Sequence, residues 1–239
     1  MSRKVPDEQL SEIHRLLDRR AVILRSRESD APPEEAVSRL GCVTRRLPGE
    51  RPPQDSMGLR LVPLATLFMS DMPVVPPALR GVELVALYAP RECWDAFDSP
   101  NCGFEIRTYL EGSAPLEVCH DASAELTPCV LIPEAVENDM PLYPDCGGSD
   151  AAWSLIRKIE KTTGADYNED IAKDYGAAHK IGGYPSYIQD APDDIPDGYE
   201  FVMQIVSDSR VGLNVGDCGN YYFYYNALQG DWCVRADFY

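Results

Sequence analysis

Long apolar runs are missing from this chain of 239 residues, and nothing approaches the eighteen consecutive apolar residues of a membrane-spanning helix. The opening "MSRKVPDEQLSEIHRLLDRR" lacks the apolar core of a secretory signal, so a cytoplasmic protein is expected. Cysteine is not scarce, with residues at 42, 93, 102, 119, 129, 146, 218 and 233, but no CxxC pair occurs. That removes a thioredoxin-like motif and a zinc ribbon, and in a reducing compartment such thiols behave as small hydrophobes. Histidine is rare, at three residues. No GxGxxG opens a helix and no phosphate loop with GK[ST] is present.

Basic residues are few. Twenty-two Lys and Arg stand against thirty-nine Asp and Glu, a net charge of −17. The imbalance is concentrated: residues 1–53 hold eleven basic and nine acidic residues, while 54–239 hold eleven against thirty, a local balance of −19. A surface of this sign repels nucleic acid and anionic membranes and attracts a basic partner.

Apolar residues make up 44% of the chain, enough for a real core. Leu10, Ile13, Leu16 and Leu17 recur at helical spacing and predict a helix over 7–20. "SDAPPEEAVSRLG" carries start and stop signals for a helix over 31–40. Ser149 and Gly164 bracket a helix over 150–162, and "YNEDIAKDYG" reads as a shorter one over 166–175. Strands are predicted at about 60–69, 82–88, 104–111, 128–137, 200–206 and 220–228. The expected class is α+β: a mostly antiparallel, internally duplicated β core with peripheral helices.

The duplication rests on three ordered blocks. Ser38-Arg39-Leu40-Gly41-Cys42 aligns with His179-Lys180-Ile181-Gly182-Gly183, "PLATLFMSD" with "EFVMQIVSD", and "GVELVALY" with "GNYYFYYN". Ser70-Asp71 then answers Ser207-Asp208. Two β-rich repeats are expected, about 38–130 and 150–239, within a domain of 35–239 that follows a helical segment of 1–34.

"HKIGGYPSYIQ", then "FVMQIVSD", then "GDCGNYYFYY", in this order and spacing, resemble the bacterial YwqG-like family. The first half resembles a weaker form of the pattern in "SRLG" and "LVPLATLFMSDMPVVPPALRGVELVALY". The resemblance spans roughly 35–239 and implies a fold more than a chemistry. Some members lie beside secreted toxins, which implies an immunity or antitoxin role. The chain departs from the pattern at Val215, where members often carry Trp, at Thr66 in place of Gln, and at Cys42 in place of the second Gly.

Several residues are candidates for chemistry. His179, with Asp208 or Asp217, could act as acid and base, and Gly182-Gly183 could let backbone approach a ligand. Tyr184, Gln189 and Gln204 complete the candidate ligand set. Each has a structural counter-reading: glycines punctuate turns, a duplicated Ser-Asp caps a strand end, and Gln satisfies buried backbone groups. Cys119, His120 and Cys129 fall short of a zinc set, and "DAPDDIPDGYE" lacks the spacing of a calcium loop. No cofactor and no metal are expected. The favoured function is a protein-binding module, an immunity protein neutralising a basic toxin. The alternative is a hydrolase-type enzyme or small-ligand sensor built on the His179 and Gly182-Gly183 loop.

Overall fold

The computed structural model describes residues 5–29, 31–32, 34–91, 100–172 and 178–239. Helix α1 (Asp7–Leu17) buries Ile13 and Leu17. It ends earlier than its pattern predicts because the chain turns straight into strand β1 (Arg19–Arg27), which takes "AVIL" into the sheet. Next come β2 (Arg39–Leu40), β3 (Cys42–Arg46), β4 (Val62–Phe68), β5 (Val82–Ala89), β6 (Glu105–Leu110), β7 (Glu117–Ala122) and β8 (Cys129–Asp139). Helix α2 (Asp150–Thr163) follows, then β9 (His179–Gly182), β10 (Glu200–Val206), β11 (Asn220–Asn226) and β12 (Asp231–Asp237). Ser149 Oγ accepts from Ala152 N at the start of α2, and Gly164 closes it in the left-handed region, as its sequence signals require.

Ten strands form one antiparallel sheet in the order β12-β11-β10-β9-β1-β8-β2-β4-β5-β6. The sheet curls until its outer strands meet. Trp232 Nε1 of β12 donates to Thr108 Oγ1 of β6 at 2.8 Å, and Phe104 packs edge-on against Tyr221 and Phe223. The enclosed core draws on both ends of the sheet, with Val22, Leu40, Leu64, Leu87, Ile181, Met203, Phe223 and Val234 in one buried cluster.

This overturns the α+β expectation. Helix amounts to 19% of the chain, and the molecule is a nearly closed, mostly β barrel. Among the described residues of 31–40 no helix forms. Ser38, Arg39 and Leu40 are buried, and β2 pairs with β4 and β8, so the need to fill a gap in the sheet overrides local helix signals. The helix expected at 166–175 is a single π-helical turn, Tyr167–Ile171, and 173–175 lie outside the described residues.

The outer wall is covered in three places, which explains why central strands lack simple alternation. Along β11, Tyr221, Phe223 and Tyr225 point into the barrel, while Tyr222 and Tyr224 pack outside with Tyr187, Cys146 and Cys233. The β3–β7 pair lies over Leu84, Ala86 and Tyr88, and α1 packs on α2 through Ile13, Leu17, Trp153 and Ile156. No described helix is long and apolar enough to cross a membrane.

Candidate functional site

The sheet places β9 between β1 and β10, with Leu24 opposite His179 and Gln204 opposite Lys180. Successive side chains of β9 therefore face opposite sides. Ile181 enters the core. His179, buried to 4% exposure, reaches a groove beside the end of β1. The imidazole is fully occupied. Val206 N donates to Nδ1 at 3.1 Å, which leaves the ring proton on Nε2, 3.2 Å from Asp208 Oδ2. Ser26 Oγ donates to the same carboxylate oxygen, and Arg210 N donates to Oδ1 at 2.9 Å. The hydrogen bond from His179 holds the Asp208 carboxyl well below the usual carboxylate range, with help from Ser26 and Arg210 N and against the opposing effect of burial.

Serine, histidine and aspartate thus meet without the connectivity of a nucleophile triad. Ser26 donates to the carboxylate and not to the imidazole, and the nitrogen that would act as base already accepts a backbone N–H. The cluster ties β1, β9 and β10 to the turn after Asp208, which Leu213 closes with reciprocal backbone bonds.

Lys180 points the other way, into a second buried centre. Its Nζ lies 3.1 Å from both oxygens of Asp139, and the two residues are 4% and 2% exposed. Asp139 Oδ2 also accepts from Tyr184 N at 2.7 Å. Gly182 and Gly183 (φ +73° and +67°) turn the chain tightly around this carboxylate, and a Cβ on Gly183 would stand 2.1 Å from Asp139 Oδ2. Tyr184 is roofed by the Arg19 guanidinium, 4.0 Å from its ring centre. Gln204 Oε1 accepts from Ser186 N at 2.9 Å, and its Nε2 donates to Ala178 O at 2.9 Å. Asp237 Oδ2 accepts from Ile188 N and Gln189 N, while the exposed Gln189 donates to Phe238 O.

The structure thus gathers His179 with Asp208 but leaves Asp217 out. Asp217 is exposed, and its backbone oxygen accepts from Tyr239 N near the end of the chain. Sequence reasoning missed Ser26, Lys180 and Asp139. Lys180 sits inside the motif that was read, but nothing local marks Asp139, 41 residues earlier, as its partner. Cys119 is buried and His120 exposed on β7, and no cluster of three metal-ligating side chains occurs among the described residues.

The first half holds a matching latch. Ser38 donates from N and Oγ to Asp71 Oδ2 at 2.7 and 2.8 Å, and Phe68 N donates to Ser38 Oγ at 2.9 Å. Arg39 pairs with Thr66 as Lys180 pairs with Gln204. The latch therefore recurs where no histidine is available, so its shared task is to close strands together. Comparison with curated proteins returns no match. Residues 90–228, more than half of the chain, match the family described as a domain of unknown function, DUF1963, and the chain belongs to that family.

Proposed function

We propose that the protein is a non-catalytic binding module that holds a basic protein partner on an acidic face centred on Leu228. The carrying observation is the setting of this residue. Leu228 is 100% exposed in the turn between β11 and β12, and the turn is fixed by Asn226 Oδ1, which accepts from Leu228 N and Gln229 N at 3.1 and 3.2 Å. The acidic segment 190–200 runs along β12 and its end is pinned beside this turn. Arg235 Nε donates to Asp194 at 2.7 Å, Tyr199 OH donates to Asp231 at 2.9 Å, and a Cβ on Gly198 would meet Asn226 Nδ2 at 3.0 Å. Asp197, next to Gly198, and Glu200, opposite Tyr225, remain exposed. An apolar anchor flanked by acidic residues suits a partner of opposite charge: the anchor supplies affinity, and the charges raise association rate and specificity.

Two finer readings belong to this proposal. The strand order divides at the β1–β8 pair into two five-strand arrays, β1-β9-β10-β11-β12 and β8-β2-β4-β5-β6. That correspondence, with the paired latches, supports descent from a duplicated unit in which the first strand of each copy pairs into the other. A YwqG-like immunity protein covering the basic active site of a toxin is the specific role, supported by the ordered sequence blocks and by charge complementarity.

The test is capture on immobilised protein from the native cells at low and high salt, run in parallel with Leu228→Asp. A stoichiometric basic partner is expected with the unaltered protein at low salt, and about a tenfold weakening with the variant, in line with loss of a hot-spot residue. Capture that is indifferent to the substitution, or no basic partner at all, contradicts the proposal.

A further inference from the structure

The groove that receives His179 has further features that the latch does not use. It measures about 910 Å³, within the range of about 300–1,000 Å³ usual for small-molecule sites. Ile23, Leu24, Ile132 and Val206 give it an apolar lining, and Arg25, Arg27 and Arg210 add three guanidinium groups. That is unexpected in a chain with 39 acidic and 22 basic residues. Arg25 is matched by Glu134 at 2.9 Å. Arg27 and Arg210 have no acidic partner within 4 Å and no side-chain hydrogen bond among the described residues. Glu28 also lines the groove without pairing to either.

The two free guanidiniums come from opposite walls. Arg27 ends β1, and Arg210 lies in the turn after β10. The latch sets both positions, because Asp208 accepts from Ser26 on the first wall and from Arg210 N on the second. Its carboxylate is committed to these donors and to His179, so among the described lining residues the charges left to act on a guest are those of Arg27, Arg210 and Glu28. Guanidinium groups recognise planar or tetrahedral oxyanions through paired N–H donors.

We propose that this groove binds a small organic oxyanion, a carboxylate or phosphate ester with an apolar body, whose acidic end is held by Arg27 and Arg210 while its body lies on Ile23, Ile132 and Val206. The site is separate from the Leu228 face and stands or falls independently of it.

Phenyl phosphate is the probe, titrated into the full chain by calorimetry, with inorganic phosphate and benzyl alcohol as partial mimics. Saturable one-to-one binding of phenyl phosphate is expected, stronger than that of either partial mimic. Arg27→Gln/Arg210→Gln should weaken it by about tenfold or more. Both side chains are exposed and unpartnered, so the variant should keep its melting temperature. Glu28→Gln should strengthen binding by removing the repelling carboxylate. Absence of saturable binding, unchanged affinity in the double arginine variant, or weaker binding in Glu28→Gln would each overturn the proposal.

Discussion

Asp139→Ala is expected to lower the free energy of unfolding by about 3–5 kcal/mol, the range found when one member of a buried ion pair is removed. The reason lies in what is left behind. Lys180 Nζ, at 4% exposure, would lose the carboxylate that faces it with both oxygens, and Tyr184 N would lose its acceptor. Removing one member of a buried pair costs far more than the intact pair contributes. Removing both charges should therefore be gentler: Asp139→Ala/Lys180→Met is expected to be more stable than Asp139→Ala alone. Urea unfolding of the two variants decides the matter. A loss below about 1 kcal/mol for the single variant, of the size seen for exposed pairs, would show that water reaches this pair.

Gly183→Ala is expected to cost about 3 kcal/mol or more, from two sources that can be separated. A left-handed backbone costs an alanine about 1–2 kcal/mol wherever it occurs. At Gly183 the added Cβ also meets Asp139 Oδ2 at 2.1 Å and Ala21 Cβ at 2.9 Å, so the carboxylate must leave Lys180 or the strands must part. Gly81 offers the comparison. It has φ +79° with nothing within 4 Å of its would-be Cβ, so Gly81→Ala should show the backbone part alone. Thermal melts of both variants would reveal equal losses if the contact with Asp139 were unimportant.

The parts of the fold legible in the sequence are those whose signals are local. Helix α2 announces itself by Ser149, Gly164 and an apolar stripe, and β4, β5, β6, β8, β10 and β11 fall where apolar and β-branched runs predict them. The illegible parts are set by distant partners. Strand β2 has two residues and exists because β4 and β8 flank it, while the prolines and glutamates at 32–35 before it read as a helix start. Strand β9 hides inside a glycine motif, and β12, "DWCVRAD", has no clear period because its faces are buried to different depths. The α+β expectation fails for this reason: helices are visible one at a time, while a ten-stranded sheet becomes visible through its pairings. The site divides the same way. Gly182 and Gly183 could be read as a tight turn, but that turn encloses a carboxylate from the end of β8, and Ser26 reaches Asp208 from 182 residues away.

The central claim is that His179 and Asp208 hold strands and groove walls together. Urea unfolding of Asp208→Ala as a function of pH tests it most directly. The substitution strands the His179 Nε2–H, the Ser26 hydroxyl and Arg210 N, so a loss of about 2–3 kcal/mol is expected near neutral pH. The folded carboxyl titrates below its unfolded counterpart. Its contribution is therefore present above the ordinary carboxylate range, near pH about 4, and is lost as the pH falls toward the folded value. The gap between the two proteins should narrow on acidification. A variant as stable as the parent, or more stable, would contradict the account, because that is the pattern of a residue kept for chemistry at the expense of the fold.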